Sequence, residues 1–161
     1  MIIEVEGDIN LSSANAIAHV VAPNDEFKSG FAYSLRESWP ALYKDFRHFC
    51  RQEHPKPGAV WGWKGAESST IYSLMAQEAA EGHNSHPGKA SLPALNKALG
   101  ELKNLCESEK YKTLALTRLA TGVGGLEWKD VKPLIDKHFK DSSVRVYVYK
   151  TYRPKIKAVE D

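Results

Sequence analysis

Apolar and polar positions along this chain alternate between two periods. "MIIEVEG" at the N-terminus predicts a strand that ends at Gly7. "ANAIAHVVA" (14–22) is almost continuously apolar, as expected of a strand covered on both faces of a parallel sheet. The stretch 30–50 changes to a helical period, with Leu35, Trp39, Leu42, Phe46 and Phe49 at steps of three or four. Pro40 in its middle predicts two helices, or one restarted with proline in its first turn. "GAVWGWK" and "STIYSLMA" read as two more strands. "ASLPALNKALGELKNLC" is an amphipathic helix with Leu95, Leu99 and Leu102 on one stripe, Pro93 early and Ser91 as N-cap. "KTLALTRLA" (112–120) predicts a further buried strand. "WKDVKPLIDKHF" predicts a helix capped by Asp130, with Pro133 in its first turn. "SSVRVYVYKTY" alternates, placing Val144, Val146 and Val148 on one face and Arg145, Tyr147 and Tyr149 on the other. Strands interleaved with helices predict an α/β domain around a mostly parallel or mixed sheet. Ligands of such sheets sit beyond the carboxyl ends of the strands.

Composition narrows the picture modestly. A chain of 161 residues suits one domain with a substantial core. A net charge of +2 from mixed signs does not demand a nucleic acid or an anionic membrane surface. Cys50 and Cys106 stand far apart, without the spacing of a metal knuckle or a disulfide scaffold, so both are expected to be reduced thiols. The N-terminal apolar run is too short and too charged for a signal peptide or a membrane span, so a cytoplasmic protein is expected. The tail "RPKIKAVED" is charged and poor in apolar residues, and is expected to fray.

Candidate chemistry gathers at three strand ends. Gly7-Asp8-Ile9 follows the first strand and "PNDEFKSGFA" (23–32) the second. Thr121-Gly122-Val123-Gly124-Gly125 follows the fifth. Glycines at strand-to-helix turns offer consecutive N–H groups to an anion, and a helix dipole adds to them. A phosphate or diphosphate ligand is the reading, although neither GxGxxG nor GxxxxGK[ST] is present. Asp8 cannot hold phosphate. On an exposed strand end it would accept a hydrogen bond from a base amino group, or else stabilise its own turn. His83 and His86 have no further partner at metal-ligand spacing and read as a polar loop.

With "GDI" near the N-terminus, "AIAHVV…GFA" after it and "RLATGVGGLEW" late in the chain, the sequence resembles a macrodomain. It is most like the branch of terminal ADP-ribose glycohydrolases and bacterial ADP-ribose-1''-phosphate-processing proteins. The resemblance spans about residues 2 to 150. It implies a three-layer α/β/α macrodomain with a mixed central sheet of about six strands over 1–150, followed by a short tail at 151–161. It also implies ADP-ribose, or an ADP-ribosylated protein or nucleic acid, as partner. No cofactor, metal or membrane is implied, and a monomer is expected.

By the same resemblance Asp8 takes the adenine amino group and the Ile9 backbone lies on the ring. Phe27, Lys28, Ser29, Gly30 and Phe31 wrap the distal ribose and diphosphate, with Lys28 either adding charge to the phosphate site or pointing outward. Thr121, Gly122, Val123, Gly124 and Gly125 form the second phosphate loop, where a β-carbon at 124 would meet ligand or force the loop open. Tyr149 covers the adenine, unless it is an ordinary sheet-face aromatic. His19 lies near the distal ribose in a positioning role, and Gln77 faces the same cleft. Where catalytic relatives carry a lysine and an aspartate, this chain has Ala76-Gln77 and Gly124. Only His19 and Asn24 remain as weak candidates for help with water. A slow hydrolase or phosphatase on ADP-ribosyl derivatives, a non-catalytic reader, and an enzyme for another nucleotide all stay open.

Overall fold

The computed structural model describes residues 1–65, 69–80, 87–121 and 124–161. Among these described residues six strands form one sheet: β1 (Ile2–Gly7), β2 (Ala16–Val21), β3 (Ala59–Lys64), β4 (Thr70–Met75), β5 (Thr113–Leu116) and β6 (Arg145–Tyr152). Their order is β1-β6-β5-β2-β4-β3. β3 runs antiparallel to β4, and the other pairings are parallel. β2 is the centre: Ile17 lies opposite Ile71 of β4 on one side and Ala115 of β5 on the other.

Helices cover both faces. α3 (Leu92–Ser108) and α4 (Trp128–Phe139) close one core, where Leu95, Leu99 and Leu102 meet Val144, Val146 and Val148. α1 (Gly30–Ser38) and α2 (Pro40–Glu53) close the other, where Leu35, Leu42 and Phe46 meet Ile17, Ile71, Tyr147 and Tyr149. The alternation of β6 therefore sorts its valines and tyrosines to opposite layers, as its sequence predicts, and the three-layer mixed sheet is the expected one. Ser91 caps α3, accepting from the Ala94 N–H at 3.2 Å.

Several local expectations are corrected. The helical stretch divides at Trp39, and Pro40 starts α2 where its missing N–H is harmless. Trp39 leaves the buried stripe and is 39% exposed at the joint, while Cys50 rather than Phe49 ends the stripe of α2. β5 stops at Leu116 instead of reaching residue 120. Ala120 has φ +59, which no strand accommodates, and Thr121 bonds back to the Arg118 carbonyl. α4 begins at Trp128 after Glu127, so Asp130 lies inside the first turn and Pro133 inside the helix. Asp130 there still faces the positive end of the helix dipole. Pro133 forfeits one i→i−4 bond.

The tail does not fray. Arg153 N–H donates to the Gly7 carbonyl at 3.0 Å, Asp8 N–H donates to the Ile156 carbonyl at 2.7 Å, and Ala158 is buried. Glu160 accepts from the Ser12 and Tyr149 hydroxyls at 2.6 and 2.7 Å. Its low apolar content concealed these contacts because they are almost all polar.

Phe46 is fully buried and Phe49 is not. Phe46→Ala is expected to lower unfolding free energy by about 3–5 kcal/mol, and Phe49→Ala by well under half of that. Urea denaturation of the two variants checks the assignment.

Candidate ligand-binding site

Parallel pairing sends the chain out of β1, β2, β4, β5 and β6 at one edge of the sheet. The loop after β2 is built around Asp25, a residue that sequence reasoning passed over. Its two carboxylate oxygens accept the Ala22 N–H at 3.0 Å and the Phe27 N–H at 2.9 Å. Burial raises its pKa, and those two bonds oppose the rise. The side-chain-to-backbone bond two residues on is an Asx turn, a signal legible in "NDEF". The clamp holds Asn24 at φ +59 and Phe27 at φ +52. Phe27 is fully buried, with its ring 4.9 Å from Phe46 and 5.7 Å from His19. It anchors the loop from below. Lys28 points outward and pairs with Glu26 at 2.6 Å. Ser29 precedes α1 without a side-chain cap bond, and Gly30 follows at φ +61 with open space where a side chain would stand. The first-turn amides of α1 thus face the strand edge without a side-chain acceptor from Ser29.

His19 sits under this turn. It is 2% exposed, its Nε2 lies 2.9 Å from Ser73 Oγ, and Phe31 stands edge-on at 5.5 Å. Burial lowers its pKa to about 3. An imidazole held neutral in this way is a poor general base near neutral pH. The geometry gives it the work of supporting Phe27 and Phe31.

The late loop folds back on itself. Thr121 Oγ1 donates to the Arg118 carbonyl at 2.8 Å, and Leu126 N–H donates to the Ala120 carbonyl at 2.9 Å. Gly122 and Val123 lie outside the described residues. Gly125 has φ +74. A β-carbon on Gly124 would stand 2.7 Å from the Ala120 carbonyl oxygen. The glycine is therefore required by its own loop before any ligand arrives: of the two expected consequences of a β-carbon there, forcing the loop open is the one this geometry gives. Gln77 is 6% exposed and donates through Nε2 to the Gly88 carbonyl at 3.0 Å. Ala90 N–H donates to the Gly124 carbonyl at 2.9 Å. These bonds bring Lys89, unmarked in the sequence, beside Gly125: its stem lies 3.8 Å from where a side chain there would begin. His83 and His86 lie outside the described residues.

At the far end of the same edge, Asp8 is 7% exposed rather than open on a strand end. Asn10 N–H and Nδ2–H donate to its Oδ1, and Lys155 N–H to its Oδ2, each at 3.0 Å. Burial pushes its pKa up, but the bonds from Lys155 and Asn10 outweigh it and leave the pKa below the usual value. Ile9 is buried in the single helical turn that Asp8 caps. Tyr149 is buried on the sheet face and donates to Glu160, both of which raise its pKa along with burial. The segments holding Ser29–Phe31, Gln77, Thr121 and Gly124–Gly125 thus follow β2, β4 and β5 at that one edge, since these strands run parallel as neighbours. Asp8, Ile9 and Tyr149 lie at its β1–β6 end.

A cavity of about 580 Å³ lies elsewhere, between α1 and the starts of β2 and β4, with Trp39, Lys64, Thr70 and Tyr111 in its wall. It touches the candidate site region at Phe31 and at Asn10, the hydrogen-bond partner of Asp8.

No family model matches the chain. The macrodomain of Thermus aquaticus DarG superposes with a TM-score of 0.79 over 93% of this chain and 98% of its own, at 19% identity. This chain has the macrodomain fold. The Thermosipho africanus fusion of a DNA ADP-ribosyl transferase and a DNA ADP-ribosyl glycohydrolase is 23% identical over 97% of this chain, which spans 43% of the fusion's length. The structure of Thermosipho africanus DarTG in complex with ADP-ribose superposes with a TM-score of 0.77 over 98% of this chain and 43% of its own, at 21% identity. Human ADP-ribose glycohydrolase OARD1 is 23% identical over 90% of this chain and 88% of its own length. Among the described residues, no helix is long and apolar enough to cross a membrane.

Two outcomes test the geometry of this macrodomain. Gly124→Val should lower the melting temperature in the absence of any ligand, because the Ala120 carbonyl is in the way; calorimetric melting checks it. The His19 ring should show no titration by NMR between pH 8 and 5. Its folded pKa lies below the unfolded value near 6.5. The stability this shift contributes is complete above pH 6.5 and is lost as pH falls toward about 3.

Proposed function

We propose that this macrodomain binds ADP-ribose, free or attached to a macromolecule, and hydrolyses its linkage slowly or not at all. The observation that carries the reading is that the α1 turn at Ser29–Phe31, which Ser29 leaves without a side-chain cap, and the Gly124–Gly125 loop follow β2 and β5, parallel neighbours that end at the same edge of the sheet. Amides of a helix N-terminus and a glycine turn suit a diphosphate. Lys89 beside Gly125 adds a positive charge. Asp8, held ionised at the β1–β6 end, suits a base amino group, and Ile9 supplies an apolar wall. The names of the Thermosipho and human relatives support ADP-ribose as the ligand.

The reading of weak catalysis rests on the side chains. Gln77 is engaged with Gly88, Gly124 has no room for a carboxylate, and His19 is neutral and enclosed. Asn24 brings no group that exchanges a proton near neutral pH. Among the described residues these candidates supply no positioned acid–base group, a lack that lowers rates by ~10²–10⁴. A reader role therefore stands beside slow hydrolysis. The substrate or bound partner is an ADP-ribosylated protein or nucleic acid, or ADP-ribose-1''-phosphate. We place the protein in the cytoplasm as a monomer.

Calorimetric titration should show ADP-ribose binding, and AMP binding about tenfold or more weakly, since loss of even one hydrogen bond to a charged group has that effect. Product analysis on ADP-ribose-1''-phosphate and on ADP-ribosylated protein and DNA should show slow or no release. Equal affinity for AMP contradicts the distal half of the assignment. Rapid turnover contradicts the catalytic half.

A further inference from the structure

We propose that the C-terminal segment is a positioning element for base recognition: Lys155 aims the Asp8 carboxylate and so sets preference for a base that carries an amino group. The inference rests on the reading of Asp8 as acceptor of that group.

The segment is fastened independently of residue 155. Asp8 N–H bonds to the Ile156 carbonyl, and Arg153 N–H bonds to the Gly7 carbonyl. Ala158 lies so close to Gly7 that a β-carbon on Gly7 would stand 2.8 Å from its Cβ. Glu160 accepts from Ser12, Tyr149 and the Ser13 N–H, and Tyr147 Oη donates to the Asp161 carbonyl. These contacts dock the tail without any contribution from Lys155.

Lys155 nevertheless adopts φ +61, a conformation that L residues rarely take. Its N–H thereby reaches Asp8 Oδ2 at 3.0 Å. A sparsely populated backbone conformation persists only where its surroundings impose it, and such residues cluster at functional sites. A carboxylate offers roughly four acceptor directions. Two on Oδ1 are taken by Asn10 and one on Oδ2 by Lys155. The fixed carboxylate keeps one direction on Oδ2 for a ligand donor. A base with a carbonyl at the same place would meet that oxygen as a repulsive partner. Arg153 and Lys155 are exposed, so the segment borders solvent beside Asp8 and forms a rim rather than a plug.

The test compares ADP-ribose with inosine diphosphate ribose, whose base carries oxygen where adenine carries the amino group. Calorimetry is run on the full chain, on a chain ending at Tyr152, and on Ala158→Glu, which dislodges the tail from Gly7 and leaves Asp8 and Lys155 in the sequence. The full chain should favour ADP-ribose by about tenfold or more. In both variants the ADP-ribose affinity should fall about five- to tenfold and the inosine analogue should change little, so that discrimination collapses. Weakening both ligands equally, leaving both unchanged, or tightening ADP-ribose overturns the proposal. Amide exchange at Lys155 in the full chain decides the question if the variants fail to fold. Saturating ADP-ribose should slow that exchange, whereas acceleration or no change would mean that the tail does not take part in the bound state. If the full chain does not bind ADP-ribose, the functional reading itself fails, an outcome distinct from any of these.

Discussion

Parallel pairing of β2 with both β4 and β5 is the constraint on which the rest of the molecule depends. Ile17 lies between Ile71 and Ala115, and every neighbour of β2 in the sheet runs in its direction. Parallel strands need crossovers over the faces, so helices must cover both sides of the sheet. The same geometry sends each following segment out at one edge. The Asp25-clamped turn, the glycine loop and the return at Gly88–Ala90 therefore meet without any long-range instruction beyond strand direction. Shifting β2 by one residue would move His19 from beneath Phe31 to the opposite core and strip the α1 turn of its support.

Most of the frame was legible in the sequence because burial has a period. The continuous apolar run of β2, the valine and tyrosine alternation of β6 and the leucine stripe of α3 each dictated a layer. What the periods could not show was where a pattern ends for conformational reasons. Residues 117–120 look like strand but turn at Ala120, whose positive φ has no marker in an alanine. The tail was invisible for a different reason. Its docking relies on backbone hydrogen bonds, one buried alanine and one glutamate, none of which alters hydropathy.

The site was legible as a set of strand ends and less so as chemistry. Glycine density at 122–125 announced a close approach, and the structure places part of that approach within the protein, between Gly124 and the Ala120 carbonyl. Likewise Phe27, chosen for its place in a ligand-wrapping loop, is a fully buried anchor. Asp8 proved more enclosed than a strand-end carboxylate should be, because a segment 147 residues away completes its surroundings. Among the described residues, this edge of the sheet brings together the first-turn amides of α1, the stem of Lys89 beside Gly125 and, at its β1–β6 end, an enclosed carboxylate.

Amide chemical-shift mapping during titration with ADP-ribose locates the ligand. Perturbation of Ile9, Gly30, Phe31, Gly124 and Gly125 along the carboxyl edge of the sheet is expected, with Lys64, Thr70 and Tyr111 unmoved. Shifts centred on Lys64, Thr70 and Tyr111, around the cavity at the opposite ends of β2 and β4, would contradict it.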